Sequence, residues 1–462
     1  MSWERPESVH RTAIQFLETG VATSPEEAVD MLARLVLQVH VAKNACLGRS
    51  GTAALGTVVN AGRRAFLGGV HVRLEEDLVL AYGWAKGQHL SKFVEGLGGT
   101  VVDALSPEHL TLSLGQAVKP VGRVVLHPTW HGWSAGVVLG QEDRLDGHGL
   151  EIAAIAAGAL GVSEAFQFLT GRPGPGRRDV GVSLWLPGTD WRLAEATGPM
   201  LACLPSGIWL LGLGHLGQGY AWSMGWLNYE DPGSVVIGLV DDDTVELGND
   251  ATGMLLQPSD VDARKTRVVA RELERLGFQT RVVDRRFDEQ FVPQEKEPTV
   301  ALAGFDSPSS RQNLGARFGY VIDGGLGVGA RQYLSIAIHT FPSTLDPRVE
   351  FVPSDRASGE LAEAYEAAIG RLIADGVPAG TARCGVTMIA GTAVAAAFVG
   401  TFAGVLAVAD LLRLLHGGPA LCRIRCDLRN PNDLRGALNL APGPVVNRGF
   451  SGCRPPADTD RF

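Results

Sequence analysis

The sequence predicts an α/β protein built on a mostly parallel sheet. The first reason is the run 208–213, which is short and continuously apolar, as expected for a strand that is buried on both faces. A glycine-rich turn and a helical segment follow it, and a second apolar run, 234–240, ends in three consecutive aspartates. Buried strands that alternate with helices are typical of parallel sheets, because parallel neighbours need a crossover connection.

Length and composition set the first limits. At roughly 150 residues per domain, a chain of 462 residues suggests about three domains, or two with insertions. Apolar residues make up 45% and charged residues 20%, which excludes wholesale disorder. The net charge of −9 indicates neither a basic surface for nucleic acid nor a polybasic membrane surface, so we expect no nucleic acid and no membrane among the partners.

The cysteines indicate a reducing compartment. Six cysteines in 462 residues are too sparse for a secreted disulfide scaffold, and the N-terminus lacks the layout of a signal sequence, so we expect a cytoplasmic protein. Cys422 and Cys426 have Ile424 between them, an alternation that indicates a strand in preference to a structural zinc site.

The first 200 residues alternate between helical and extended patterns. Residues 8–45 have the pattern of an amphipathic helix, with Ser24 and a following proline as a helix start. Residues 46–150 mix short apolar runs with glycines and indicate α/β structure. A helix of small residues is predicted over 150–170, and the loop-like stretch 171–178 is the clearest linker candidate.

A second, longer helix of small residues is predicted over 386–415. Residues 386–409 carry no charge, which is enough length to span a bilayer. The run is dominated by alanine, glycine, valine and threonine, has Leu406 as its only leucine, and is followed at once by Asp410 without an aromatic belt. We therefore expect a buried, closely packed helix and no membrane span.

The most informative motif is the glycine-rich turn after the first apolar run. Gly212, Gly214 and Gly217 permit a tight strand-to-helix turn, a close backbone approach to a phosphate, and a helix N-terminus that supplies amide donors. Asp241 lies 24 residues beyond Gly217, near the spacing at which an acid accepts from ribose hydroxyls. These residues predict a nucleotide site, and they fit an NAD-dependent oxidoreductase and an ATP-using enzyme equally well.

The residues after Asp241 distinguish these two classes. The segments 239–249 and 303–311, with Lys265 between them, resemble the family of ThiF, MoeB and the ubiquitin-activating enzymes. The resemblance spans residues 205–345 and continues more loosely to 416. It implies a Rossmann-like adenylation domain that uses ATP and Mg²⁺ to adenylate the C-terminal carboxylate of a ubiquitin-like protein.

The resemblance also implies a role for each motif residue. Lys265 corresponds to the phosphate-binding lysine and Asp306 to the aspartate associated with Mg²⁺, so both are expected to act in catalysis. Such charges are needed because a carboxylate that attacks a phosphate brings anions together. The residues expected to bind ATP are the glycines of the turn and the family's acidic, asparagine, lysine and arginine positions: Gly212, Gly214, Gly217, Asp241, Asp243, Asn249, Lys265 and Arg311.

One position departs from the family. Thr252 replaces the arginine that usually lies three residues after the asparagine. Either another basic side chain substitutes for it, or the site binds nucleotide without turning it over. The candidates flank Lys265 or come from the N-terminal half, since the family often borrows a cation from a partner half: Arg264, Arg267, Arg49, Arg63 and Arg64.

Cys384 is the candidate catalytic nucleophile. It lies at the predicted start of the long helix and follows Arg383, so the helix dipole and a neighbouring cation favour its thiolate. The segment 383–391 resembles that of the autophagy-type activating enzymes, whose cysteine takes the adenylated carboxylate as a thioester. A packing or capping cysteine is the alternative. Cys453, in the C-terminal tail, has no assigned role.

We expect two α/β halves and a short C-terminal remainder. Residues 1–200 lack a glycine motif and end in a helix similar to the one after Cys384, so we expect an inactive adenylation-like half. Residues 205–416 form the adenylation domain with the cysteine-bearing crossover segment, and 417–462 form a strand and an irregular tail. A first half without any α/β layer would contradict this hypothesis.

These expectations describe activation of a ubiquitin-like protein by adenylation, a thioester on Cys384, and transfer to a conjugating enzyme. Stand-alone activating enzymes of this size resemble those of bacterial ubiquitination-like antiviral operons. Two alternatives stay open: a ThiF/MoeB-like adenylyltransferase without its own thioester, used for sulfur transfer or amide formation, and a nucleotide-binding scaffold without catalysis. A homodimer also stays open.

Overall fold

The computed structural model describes residues 10–43, 45–116, 119–145, 148–316, 318–352, 370, 373–374 and 393–440. Cys384 and Cys453 lie outside these residues. The described strands form two sheets, one of seven strands from the N-terminal half and one of eight strands from the C-terminal half.

The N-terminal half supplies the first sheet and the helices around it. Its strands are β1 Leu37–Val41, β2 Val70–Leu74, β3 Thr100–Val101, β4 Leu110–Leu114, β5 Val124–His131, β6 Ser134–Val138 and β7 Val180–Ser183. Its helices are α1 Ile14–Glu18, α2 Pro25–Ala33, α3 Arg49–Gly62, α4 Leu90–Gly96 and α5 Glu151–Leu169. Ser24 caps α2 as predicted, because its hydroxyl accepts a hydrogen bond of 3.2 Å from the Glu27 amide.

The C-terminal half supplies the second sheet. Its strands are β8 Gly207–Leu211, β9 Val236–Val240, β10 Gln279–Val283, β11 Val300–Ala303, β12 Tyr320–Leu326, β13 Ser335–Phe341, β14 Leu421–Asp427 and β15 Arg435–Leu438. Its helices are α6 His215–Trp226, α7 Lys265–Arg275, α8 Pro308–Gln312, α9 Pro347–Glu350 and α10 Ala397–Leu415. Cys422 and Cys426 both lie in β14, as their alternation predicts, and both are buried.

The two sheets share one topology. The strand order is β3-β2-β1-β4-β5-β6-β7 in the first and β10-β9-β8-β11-β12-β13-β14-β15 in the second. In each, the first five strands of that order are parallel to one another and the remaining strands are antiparallel to their neighbours. The predicted α/β fold class is confirmed, and the first half contains an α/β layer. The inactivity of that half stays a prediction.

Helices of both halves meet in one hydrophobic core. Trp84, from the first half, stacks on Trp222 of α6 with ring centroids 5.6 Å apart, and its indole N–H donates to the Trp222 carbonyl oxygen at 3.1 Å. Helices α6 and α10 approach so closely that a Cβ at Gly404 would lie 2.5 Å from the Gly219 carbonyl carbon. Contacts from both halves therefore fix the position of α6.

Helices α5 and α10 are long and apolar enough to cross a membrane by length and composition alone. The most apolar window of each is nevertheless largely buried inside the protein, 89% in α5 and 94% in α10. The prediction of a buried, closely packed helix is confirmed for Ala397–Leu415. The described residues 393–396 are not helical, so this helix begins later than predicted.

Three other predictions about local structure are wrong. Residues 37–41, assigned to the helix over 8–45, form the fully buried strand β1, because periodicity does not separate a short buried strand from a buried helix. The stretch 171–178 joins α5 to β7 within the first sheet and is not a linker between halves. Residues 435–438, assigned to an irregular tail, pair with β14 although all four are exposed and show no alternation.

Candidate functional site

The candidate site begins at the turn between β8 and α6. Gly212 has a φ of +79°, in the left-handed region that favours glycine. A Cβ at Gly217 would overlap the Gly212 carbonyl group, lying 2.9 Å from its carbon, so glycine lets α6 begin close to the turn. A Cβ at Gly214 would meet no atom within 4 Å. This open space before the N-terminus of α6 suits a phosphate, which the helix amides and dipole attract.

Asp241 follows β9 and contacts this turn. Its carboxylate accepts hydrogen bonds from the Leu213 amide at 2.5 Å and from the Asp243 amide at 2.8 Å. Burial raises the pKa of Asp241, and the hydrogen bond from Leu213 opposes that shift. Carboxylate oxygens have several lone pairs, so Asp241 can also accept from a ribose hydroxyl. Carboxylate oxygens of Asp241, Asp242 and Asp243 lie within 4.8 Å of one another and could hold a cation.

Lys265 begins α7 and reaches the same acidic group. Its Nζ donates to the Asp243 carboxylate at 2.7 Å, and its amide donates to the Asp243 carbonyl oxygen at 3.1 Å. The lysine side chain is only 11% exposed, whereas that of Asp243 is 64% exposed. The structure therefore brings Lys265 together with Asp241 and Asp243 and holds the ammonium at the edge of the site.

Asn249 and Thr252 lie in and after a short 3₁₀ turn, Leu247–Ala251. The side-chain oxygen of Asn249 accepts from the Glu246 amide at 3.1 Å and caps this turn. Thr252 is 6% exposed, and its hydroxyl donates to the Asn249 carbonyl oxygen at 3.4 Å. The position where the family has an arginine is thus packed inside the protein and supplies no charge.

Asp306 and Arg311 follow β11 but have different surroundings. Asp306 is exposed, as a carboxylate that binds a cation in solvent requires. Arg311 forms an ion pair with the fully buried Asp323 of β12, and its guanidinium lies 3.9 Å from the centre of the Phe351 ring. Among the described residues, no hydrogen bond or ion pair joins Arg311 to the glycine turn. The nucleotide contact that the sequence predicts for Arg311 therefore has no support from this geometry.

An arginine that the sequence analysis missed approaches the site from the N-terminal half. The Arg11 guanidinium lies 3.9 Å from the Glu246 carboxylate, just before the Asn249 turn. Burial lowers the pKa of Arg11, and the carboxylates of Glu246 and Asp306 oppose that shift. Burial also lowers the pKa of His215, the first residue of α6, to about 4, and the charge of Arg11 adds to this effect. Arg11 therefore faces three elements of the candidate site.

The segment before α10 holds Arg11 in position. The Thr12 hydroxyl donates to the Ala395 carbonyl oxygen at 2.9 Å, and the Ala395 amide donates to the Arg11 carbonyl oxygen at 3.4 Å. The next residue, Ala396, has its carbonyl oxygen 2.9 Å from Nε2 of His215. These contacts join the N-terminal segment, the start of α10 and the glycine turn in one arrangement.

Of the arginines considered as substitutes in the sequence, Arg264 lies at the acidic group of the site, where it donates to the Asp242 carbonyl oxygen, and the other four bind groups outside this acidic cluster. The hydrogen-bond partners of the five are Asn228 for Arg49, Asp250 for Arg63 and Arg64, Asp242 for Arg264, and Asp284 for Arg267. Arg11 gives no local signal in the sequence, because its place in the site depends on a contact with residues more than 200 positions away. The sequence predicted that a cation could come from the N-terminal half, but only the three-dimensional fold identifies Arg11 as that cation.

A groove of about 570 Å³ opens on the same half of the molecule, over strands β12 to β14. Its lining includes residues that pair across these strands, Gly325 with Ala337 and Ala337 with Arg425. Arg311 lies over Gly325, since a Cβ there would be 2.9 Å from its guanidinium. The groove therefore extends from Arg311, which follows Asp306 by five residues, to Arg425 and Arg429.

Together these residues suit a nucleoside triphosphate. The glycine turn leaves an open space before the N-terminus of α6, where helix amides attract an anion. Asp241 contacts this turn, Lys265 contacts Asp243, and the charge of Arg11 lowers the pKa of His215, the first residue of α6, so one acceptor and two cations lie near the space. The exposed carboxylate of Asp306 adds an oxygen ligand of the type that Mg²⁺ prefers. Cys384 lies outside the described residues, so its role stays a prediction.

Comparison with known proteins assigns both halves to the same kind of protein. Residues 36–184 match the family model described as BilD N-terminal domain, and residues 204–418 match that described as BilD C-terminal domain. The chain is 36% identical over 444 residues to the bacterial E1-like protein BilD of Collimonas sp. strain OK412, which covers 94% of this chain and 95% of that protein.

Solved structures with detectable similarity include two from E. coli. MccB, in a crystal structure with succinimide, is 16% identical with a TM-score of 0.34, covering 52% of this chain and 65% of MccB. The tRNA N6-threonylcarbamoyladenosine dehydratase TcdA, in complex with AMP, is 20% identical with a TM-score of 0.20, covering 24% of this chain and 44% of TcdA. Another crystal structure of E. coli MccB is 13% identical with a TM-score of 0.34, covering 68% of this chain and 92% of that one.

Proposed function

Because this chain belongs to the BilD family of bacterial E1-like proteins, we propose that it activates a ubiquitin-like protein by ATP-dependent adenylation. The C-terminal carboxylate of the ubiquitin-like protein attacks the α-phosphorus of ATP, an acyl-phosphate bond forms, and pyrophosphate leaves. The observation that carries this proposal is the open space at the glycine turn, with Asp241 in contact with the turn and the cations Lys265 and Arg11 beside Asp243 and His215.

ATP would be held mainly by backbone groups. The space at Gly214 and the N-terminus of α6 suit the phosphates, and Asp241 suits the ribose. The Lys265 ammonium, which donates to the Asp243 carboxylate, could donate to a phosphate oxygen of ATP in its place. Asn249 is still expected to contact the triphosphate. Mg²⁺, when bound, offsets the negative charge of the phosphates, and Asp306 is its expected ligand.

Arg11 would supply the cation that Thr252 does not. The reaction joins two anionic groups, so negative charge accumulates on the phosphate oxygens in the transition state. The Arg11 side chain is 22% exposed, and a partly buried guanidinium stays charged at neutral pH and is worth more in such a site than in water. This assignment favours catalysis over the alternative of a nucleotide-binding scaffold, for which the missing arginine was the main reason.

The carboxylate would reach ATP along the groove over β12 to β14. Ala337 leaves room for an extended chain close to the sheet, and the end of the groove at Gly325 is covered by Arg311, five residues after Asp306. A C-terminal tail that lies in this groove can extend toward Asp306 and the phosphates. The folded part of the ubiquitin-like protein would then rest on the outer strands.

After adenylation, we propose that Cys384 takes the acyl group. Its thiolate attacks the acyl carbon, a thioester forms, and AMP leaves with the electron pair of the broken bond. The modifier would then pass to the thiol of a conjugating enzyme. Arg383 and the predicted helix start favour the thiolate that this step needs.

Exchange of labelled pyrophosphate into ATP tests the adenylation step. With a ubiquitin-like protein encoded beside this chain, we expect exchange that requires that protein. Arg11→Gln should lower the exchange rate on the order of 10²–10³-fold, as the loss of a transition-state cation does. Arg34→Gln, a change at an exposed arginine outside the site, is the matched control and should leave the rate unchanged. Full exchange by Arg11→Gln would contradict the assignment.

Replacement of the candidate nucleophile separates the two enzymatic readings. If the chain forms its own thioester, Cys384→Ser retains pyrophosphate exchange but loses the thiol-sensitive adduct with the modifier. If the wild-type chain shows exchange and no such adduct, the ThiF/MoeB-like reaction without a thioester replaces our proposal.

A further inference from the structure

The arginines that line the groove over β12 to β14 differ in whether a carboxylate of the protein pairs with them. Arg311 pairs with Asp323, and Arg429 pairs with Asp427 at the opposite end of the groove. Burial opposes ionisation of Asp427, yet hydrogen bonds from Arg429 and Ser335 lower its pKa to about 2, so this pair is fully ionised and neutral overall. These two cations are therefore already compensated by the protein.

Arg425 has no such compensation from the residues that the structure describes. It lies on β14 between the paired arginines, is exposed, and lines the groove. Among the described residues, no carboxylate forms an ion pair with Arg425 and no hydrogen bond from its guanidinium is observed. In contrast, Arg423, two residues earlier on the same face of β14, pairs with Glu350.

The strand pairing adds an unfavourable term at this position. Arg425 lies directly opposite Arg435 in the β14–β15 register, and like charges in opposite positions of an antiparallel pair destabilise it. Arg435 reaches an acid of its own, since its guanidinium lies 3.2 Å from Asp433. Within the part of the chain that the structure describes, the charge of Arg425 thus forms no stabilising ion pair, in a chain whose net charge is −9.

We propose that Arg425 selects the modifier by binding an acidic side chain in its C-terminal tail. This inference rests on the proposed function, because it assumes that the tail lies in the groove. An extended chain over Ala337, beside the Arg311 side chain, brings alternate side chains toward Arg425, which pairs with Ala337 across the strands. A guanidinium binds a carboxylate with two parallel hydrogen bonds. The preferred modifiers therefore carry an aspartate or glutamate several residues before the C-terminus.

Synthetic tail peptides test this inference with the full-length protein. The probes are peptides with the last residues of the neighbouring ubiquitin-like protein, in which the acidic tail position is glutamate, glutamine or lysine. We expect pyrophosphate exchange with a KM that rises about tenfold or more from glutamate to glutamine and further to lysine, at unchanged kcat. Arg425→Glu should reverse this order, so that the lysine peptide becomes the best substrate.

The controls separate the inference from the proposed function. Arg348→Glu changes an exposed arginine that does not line the groove and should preserve the wild-type order, and the KM for ATP should stay unchanged in both variants. Equal KM values for the three peptides, or an order unchanged by Arg425→Glu, would overturn the inference alone. Absence of exchange by the wild type with every peptide and with the intact ubiquitin-like protein would overturn the proposed function and this inference with it.

Discussion

Two glycines of the same turn should respond in opposite ways to the same substitution. Gly214→Ala adds a methyl group that meets no protein atom within 4 Å, at a residue whose φ is −75°. Gly217→Ala adds a methyl group that overlaps the Gly212 carbonyl group, with 2.9 Å to its carbon where about 3.4 Å is the ordinary limit. The first change therefore affects the open space, and the second affects the protein itself.

The size of each effect follows from these contacts. To accept Gly217→Ala, the turn and α6 must separate by at least half an ångström, and overpacking of this kind costs about 1–3 kcal/mol of stability. Gly214→Ala should leave the free energy of unfolding within about 0.5 kcal/mol of the wild type. In the space for phosphate, its methyl group should remove about one charge-assisted hydrogen bond, worth about 1.5–3 kcal/mol, which raises the Kd for ATP roughly tenfold to a hundredfold.

Denaturant unfolding and calorimetric titration with ATP measure both quantities on the same samples. The expected result is normal stability with weak ATP binding for Gly214→Ala, and reduced stability with weak binding for Gly217→Ala. The reasoning is refuted if Gly214→Ala binds ATP as tightly as the wild type, because the space in front of α6 would then not hold the phosphates. It is also refuted if the two variants lose equal stability.

Further predictions concern pH, helix packing and the support of Arg11. Burial lowers the pKa of His127 from the ordinary value of 6.5 to about 4, so between these pH values the unfolded chain binds a proton that the folded chain does not. Because of this group, the free energy of unfolding should fall by about 1.4 kcal/mol per pH unit as the pH is lowered from 6.5 to 4. His127→Gln should flatten that part of the pH profile of stability. Gly219→Ala should destabilise the protein by about 1–3 kcal/mol in urea unfolding, because the added Cβ would lie 3.1 Å from the Gly400 carbonyl carbon and overlap its oxygen. Gly96→Ala is the control and should not change the stability in this way, because its Cβ would meet no atom within 4 Å. Thr12→Val removes the hydrogen bond to Ala395 and should lower pyrophosphate exchange several-fold at an unchanged KM for ATP; an unchanged rate would show that Arg11 needs no such support.

Local motifs were the part of the site that the sequence could predict. The glycine turn directly follows β8 and Asp241 directly follows β9, so their positions along the chain determine which edge of the sheet they reach. Lys265 begins α7 well after β9, and its place was implied by the family resemblance. The α/β class was predictable for the same reason, because buried strands and helices alternate with short connections.

Contacts between distant segments were not predictable in this way. Arg11 lies near the site because the N-terminal segment packs beside Ala395, and Arg311 pairs with Asp323 because that carboxylate is buried in β12 within its reach. Neither partner can be read from the residues near the arginine in the chain. The strand β1 was missed for a related reason, since its alternation disappears when both faces are buried.

Intact mass spectrometry of the ubiquitin-like protein tests adenylation most directly. The ubiquitin-like protein is incubated with ATP, Mg²⁺ and the Cys384→Ala variant of this chain. In this variant the acyl adenylate cannot react further to a thioester. We predict a modifier whose mass increases by that of AMP less one water, and no such product when Asp306→Asn is added to the same variant. A modifier that binds the chain and shows no AMP adduct under these conditions would contradict the proposal that this protein is an adenylating enzyme.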